Sequence, residues 1–96
     1  MSTMTTRVNA LAEIDNEREN QLARWGQQQH SAAHWLAIAG EEFGEVAQRV
    51  CRADIPPIGD IDRRRELREL RHELVQLAAV CVAWLEHLDD DGISAR

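Results

Sequence analysis

Residues 40–48 read GEEFGEVAQ. The segment continues an apolar run, yet it carries Glu41, Glu42 and Glu45. Its reading decides the fold, because it must say which way each carboxylate points. The apolar residues Trp35, Ile38, Ala39, Val46 and Val50 recur at helical spacing around it. At about 100° per residue they fall within about 60° of Trp35. Glu42 lands about 20° from Trp35, near the centre of that stripe. Glu45 lies about 80° away on its edge, and Glu41 about 120° away on the polar side. The three acids are therefore not equivalent: Glu41 is expected at the surface, Glu42 faces the core and Glu45 sits beside it one turn on.

The rest of the chain reads as helices too. Alternating Val, Ile and Thr runs and Asn-Gly turns are missing from the sequence. A first helix is expected from about Thr6, capped by Thr5 or Thr6, to Trp25, where Gly26 ends it. After the polar connector GQQQH, Ser31 is placed to cap the second helix. That helix is expected to stop before ADIPPIGD, whose prolines and glycine forbid continuation. A third helix, capped by Asp60 or Asp62, should run to about Asp89, leaving residues 90–96 as a frayed tail. The fold class is all-α, a single domain over residues 1–96.

The third helix changes character along its length. Residues 63–73, RRRELRELRHE, are charged on most sides; residues 74–85, LVQLAAVCVAWL, are apolar almost all round. A helix apolar all round must be covered on several sides. Two other helices in a chain of 96 residues are too few for that, so a partner subunit is expected, giving a four-helix-type bundle as a homodimer or homotetramer. Trp84 is assigned to that interface. Small chains bury a modest share of their surface, which also favours assembly.

Charge narrows the function classes. The formal net charge is -6, with all 11 basic residues arginine. Sequence-independent binding to a nucleic-acid polymer is thereby disfavoured. No run is long and apolar enough to span a bilayer, and no secretory signal core is present, so a cytoplasmic location is expected. Cys51 and Cys81 are read as reduced thiols, with Cys81 in the core.

A core-facing carboxylate must be paired, protonated or metal-bound. On the third helix, a stripe centred on Leu70, Leu74, Leu77, Cys81 and Leu88 carries Glu66 and Glu73 on one shoulder, with Gln76 further round. Glu73 can then face the Glu42/Glu45 edge, and three converging carboxylates suit Mg²⁺ or Mn²⁺. On the first helix, Val8, Leu11, Leu22 and Trp25 form a stripe with Arg18 inside it. Two readings stay open: Arg18 neutralises Glu42 without metal, or the carboxylates hold a cation. One arginine does not balance three carboxylates, which favours the cation.

These residues resemble a family. EEFGE on one helix, then a loop, then ELVQLAAV on the next, is similar to the MazG-like nucleoside triphosphate pyrophosphohydrolases, which carry ExxE followed by ExxD. The upstream ERENQLARWGQQQHSAAHWLAIAGEEFGEVAQ looks like the short phage and bacterial type. The resemblance spans Glu17 to Leu88. It implies an all-α enzyme that cleaves a nucleoside triphosphate to monophosphate and diphosphate, clearing unwanted nucleotides. Mg²⁺, or Mn²⁺, would be held by the catalytic Glu42, Glu45 and Glu73, with Gln76 nearby. The family's Asp is Gln76 here, a neutral and weaker ligand. The resemblance also implies helical dimers or tetramers. Arg18 is assigned to phosphate charge. Trp25 and Trp35 are core residues or stacking surfaces for a base. His30 is a candidate nucleotide contact.

Other signals read more plainly. His30 and His34 are four apart, but Ser31 between them leaves His30 outside the helix and no third zinc ligand is evident. His72 and His87 are expected to be exposed. Arg63, Arg64, Arg65, Arg68 and Arg71 are read as a solvated face with Glu66 and Glu69 at pairing distance. Two alternatives to the enzyme stand: a nucleotide-binding module with little catalysis, and a structural bundle with an internal ion-pair network.

Overall fold

The computed structural model of the chain describes residues 3–54 and 59–91. Three helices account for almost all of them: α1, Thr3–Trp25; α2, Ala32–Asp54; and α3, Asp60–Asp90. Among the described residues there is no strand.

The helix ends follow local chemistry. Gly26 takes a φ of 68°, which suits a residue without a Cβ, and its N–H bonds back to the Leu22 carbonyl at 2.8 Å. At the start of α2 the Ser31 hydroxyl accepts the His34 N–H at 3.2 Å, satisfying a first-turn donor that would otherwise lack a partner. Three expected boundaries move. Thr5 and Thr6 lie inside α1 rather than capping it. α2 continues to Asp54, past the expected stop. α3 is preceded by Gly59, with no side-chain cap, so Asp60 and Asp62 are both inside the helix. There Asp62 pairs with Arg65 one turn on. Both prolines, and residues 92–96 of the expected tail, lie outside the described residues.

α3 is the spine. It packs against α2 and α1, whereas α1 and α2 do not pack on each other. α2 and α3 are antiparallel: Trp35 near the start of α2 stacks on Trp84 near the end of α3, and Arg49 near the end of α2 reaches Glu66 near the start of α3. α1 is tied to the far flank of α3 through Arg71 to Glu13 and Arg18 to Glu86. The gap between α1 and α2, floored by α3, becomes a cleft.

The buried seam of α3 is rotated from the expected stripe. Glu66, Leu70, Glu73, Leu77, Val80, Trp84 and His87, in alternating steps of four and three, are all buried or half-buried. Leu74, Leu88 and Cys81 are exposed, so Cys81 is not in the core. Trp84 packs on Trp35 within its own chain, with ring centroids 6.2 Å apart, rather than waiting for another subunit. The fully covered apolar residues are few: Trp35, Val46, Ala53, Ala79 and Val80.

A second apolar line is left uncovered. On α2 it is Leu36, Phe43 and Val50; on α3 it is Leu67, Leu74, Leu85 and Leu88. By phase, the α2 line sits about 60–100° round from Trp35, on the side away from Glu45. The α3 line sits about 80–140° round from Val80, on the side away from Glu86. Because the helices are antiparallel, both lines emerge on one face of the pair, opposite α1.

Removing the Ser31 hydroxyl should unfasten the start of α2. Ser31→Ala is expected to lower unfolding free energy by about 1 kcal/mol in urea titrations, with an unchanged m-value.

Candidate metal centre

The helical phase that puts Glu42 in the α2 stripe also aims it at α3. Glu42, Glu45 and Glu73 converge: each offers a carboxylate oxygen, and these oxygens all lie within 4.8 Å of one another. Glu73 is buried at 8% exposure, Glu42 is half-buried and Glu45 opens to solvent. Glu41 is exposed, as its phase requires.

Like charges held this close, and partly desolvated, oppose ionisation. Burial raises the pKa of Glu42, and the carboxylates of Glu45, Glu73, Glu41 and Glu17 raise it further. Burial also raises that of Glu73, joined by the facing Glu45 carboxyl, while His72 and Arg49 pull the other way. One oxygen of Glu42 and one of Glu73 are buried without a hydrogen-bond partner. Such oxygens are costly unless a cation or proton answers them.

Among the described residues, no arginine does so. Arg18 is buried, but its Nε–H donates to both carboxylate oxygens of Glu86 at 3.0 Å, not to Glu42. The metal-free Arg18–Glu42 pair is therefore overturned. Arg49 lies nearer, yet its Nη1 is 3.5 Å from Glu66. Hard oxygen donors, two of them orphaned and drawn from two rigid helices, fit Mg²⁺ or Mn²⁺ with water completing the shell.

The centre borders the cleft between α1 and α2, a space of about 230 Å³. Glu42 and Gln76 line one part of it, and Arg18, Gln21, Trp25 and Trp35 line others. Gln76 is half-buried, one helical turn beyond Glu73. Trp25 is not a core residue: it is 57% exposed, and the Arg24 guanidinium sits over its ring at 4.4 Å. Trp35 is the reverse, 2% exposed and held between Trp84 and the edge of His30. His30 does not line the cleft. Its ring stacks on His34 at 4.2 Å, and burial with the neighbouring His34 and His87 lowers its pKa. Among the described residues, no third ligand joins His30 and His34.

Three residues escaped the sequence reading. His87 is not exposed but half-buried, and its Nδ1 accepts the Trp35 indole N–H at 2.8 Å. Glu17 and Gln21 of α1 face the cleft, with the Gln21 amide donating to Glu17 at 3.4 Å. The signal for His87 was its spacing of seven and fourteen from Val80 and Glu73. Of the basic cluster, Arg63, Arg64, Arg65, Arg68 and Arg71 are all exposed, as expected. Their partners differ: Arg71 reaches Glu13 on α1, and Glu66 takes Arg49 instead.

No protein-family model, curated protein or solved structure matches the chain. Among the described residues, no helix is long and apolar enough to cross a membrane.

The raised pKa values fix a sign. An acid whose folded pKa exceeds its unfolded one stabilises the fold below the ordinary glutamate range. That contribution is lost as pH rises through the raised values. Without metal, melting temperature should therefore fall as pH rises from 4 towards 7 through the Glu42 and Glu73 titrations. Glu42→Gln should flatten that fall, raise the metal-free melting temperature at pH 7 by a few degrees, and remove the rise caused by Mn²⁺. Differential scanning fluorimetry with and without Mn²⁺ measures all three.

Proposed function

We propose that the chain is a divalent-cation-dependent nucleoside triphosphate pyrophosphohydrolase of MazG-like type. It would convert a nucleoside triphosphate and water to the monophosphate and diphosphate in nucleotide-pool clean-up within the cytoplasm. The observation that carries this is the meeting of Glu42, Glu45 and Glu73, with two orphaned oxygens, at the edge of a cleft that offers an exposed indole.

A bound Mg²⁺ or Mn²⁺ supplies Lewis-acid chemistry, neutralising phosphate oxygens and acidifying a water. The chain's own part follows from its geometry. Glu42, Glu45 and Glu73 would hold the cation. The solvent-facing Glu45 is the carboxylate best exposed to take a proton from water. Trp25 presents a largely exposed indole beside the cleft for a base. Arg18 keeps Nε on Glu86, and its Nη groups make no hydrogen bond among the described residues, which leaves them for phosphate charge. Gln76 adds a neutral amide where the family has a carboxylate. That residue favours a second reading, a nucleotide-binding module with little turnover.

We further propose that the uncovered face of α2 and α3 packs on a second copy, giving a four-helix-type homodimer or a homotetramer. The support is the coincidence of two apolar lines on one face, with Phe43 62% exposed at its middle.

Incubating the protein with ordinary and modified NTPs and dNTPs plus Mg²⁺ or Mn²⁺ should release diphosphate, not orthophosphate. Glu42→Gln should cut the rate at least about 100-fold. An unchanged rate removes the assigned site. Calorimetric binding without turnover at any metal concentration selects the module. Separately, Phe43→Glu should convert the assembly to monomers in analytical ultracentrifugation at micromolar concentration; a monomeric native chain removes the interface.

A further inference from the structure

We propose that His87 is a positioning residue: it latches the α1–α2 connector and the Trp35 indole to the last turn of α3, and so holds one wall of the cleft. Three bonds meet on this one ring. Its Nδ1 accepts the Trp35 Nε1–H at 2.8 Å and the His30 backbone N–H at 3.4 Å. Its Nε2 lies 3.2 Å from the Asp91 carboxylate. A nitrogen that accepts from two donors carries a lone pair, not a proton. The proton is thereby placed on Nε2, which donates it to Asp91, and the ring is the neutral tautomer.

The latch reaches the cleft directly. Trp35 lines it, and so do Gly26 and Gln28 of the connector. The same turn of α3 takes a second hold on that connector, where the Gln27 amide donates to Asp90. Trp35 is pinned on its other side by Trp84, whose ring is nearly parallel at 9°. Replacing the imidazole would leave the indole N–H and the His30 N–H without an acceptor in a partly buried place. Groups left in that state seek water, so the connector would lift and the cleft wall with it. The charged and titratable groups around the ring are Asp91 just past α3, His30 on the connector and His34 on α2. The Arg18–Glu86 pair lies one residue earlier on α3.

The effect on ligand binding rests on the nucleotide reading above; the latch itself does not. The test therefore has two arms. In ¹⁵N-labelled protein, His87→Ala should speed solvent exchange of the Trp35 indole N–H and the His30 amide by about tenfold, as for one lost hydrogen bond. His87→Asn, which keeps an oxygen near the Nδ1 position, should restore slow exchange. Unchanged exchange in His87→Ala, or equal acceleration in both variants, overturns the latch. If His87→Ala does not fold, Asp91→Ala takes its place: faster indole exchange supports the anchored ring, and an unchanged rate overturns it.

The second arm measures binding of α,β-methylene deoxynucleoside triphosphates carrying adenine, guanine, cytosine, thymine or uracil. His87→Ala should weaken it about tenfold while the Mn²⁺-induced melting shift stays, and His87→Asn should recover it. Equal affinity in wild type and His87→Ala overturns the role at the cleft wall. A wild type that binds none of these probes removes the nucleotide reading, and the exchange arm still decides the latch.

Discussion

Glu73 occupies a place in the α2–α3 seam where a leucine would pack. It is 8% exposed and keeps one oxygen without a hydrogen bond. Much else follows from tolerating a carboxylate there. A buried acid next to two others pulls against the helices that hold it, so the neighbouring layers must compensate. Above it, Trp35 stacks on Trp84 and bonds to His87. Below it, Arg49 approaches Glu66, and Ala53 is buried near the end of α2. The seam thus places aromatic packing and opposite charge on either side of the acid layer. Ligands carried on two long helices would suit a cation with strict octahedral demands.

The second organising fact is that α1 touches only α3. A compact three-helix bundle would close α1 against α2 and fill the space with side chains. Here α1 is held to the flank of α3 by charged side chains, Arg18 to Glu86 and Arg71 to Glu13, and the cleft stays open. The exposed Arg71–Glu13 pair contributes little, while Arg18 of the other pair is buried. Much of the apolar stripe of α1 remains in solvent as a result: Val8, Leu11, Leu22 and Trp25 are exposed. The open cleft and the small core have one cause. The structure exposes apolar surface on two sides, the stripe of α1 and the uncovered face of α2 and α3.

The two-sidedness explains what the sequence could and could not tell. On α2 the acids separate cleanly by phase, because Trp35, Val46 and Ala53 mark one buried line. Glu41, Glu42 and Glu45 accordingly stand where their angles put them. On α3, apolar residues occupy two lines, and the stripe drawn through Leu74 and Cys81 followed the uncovered one. The covered line contains Glu66, Glu73 and His87, residues that a hydrophobicity count scores against burial. His87 was hidden for that reason. Arg18 was placed correctly as core-facing, but its partner was not, because Glu86 lies 68 residues away in sequence and only the tertiary crossing brings it near. The Ser31 cap was legible because its bond to His34 is local. The Asp60 and Asp62 caps failed because Gly59 takes the extended backbone before α3 with no side-chain bond.

Gln76 gives the electrostatics of the cleft a different balance. Three ionised carboxylates with one divalent cation leave a single net negative charge at the centre. A fourth carboxylate would leave two. On the proposed reading, a polyphosphate in the cleft would face that residual charge as well as the cation, and like charges in a partly desolvated site repel strongly. On that reading, an amide at Gln76 in place of an acid would weaken the hold on the cation but lower the barrier to an anionic ligand. The α1 wall is mixed: Arg18 and Arg24 line the cleft beside Glu17, and the two guanidiniums pair with Glu86 and Glu17 respectively. On the proposed reading, a centre with one fewer negative ligand would rely on the cation chiefly to orient a phosphate once bound.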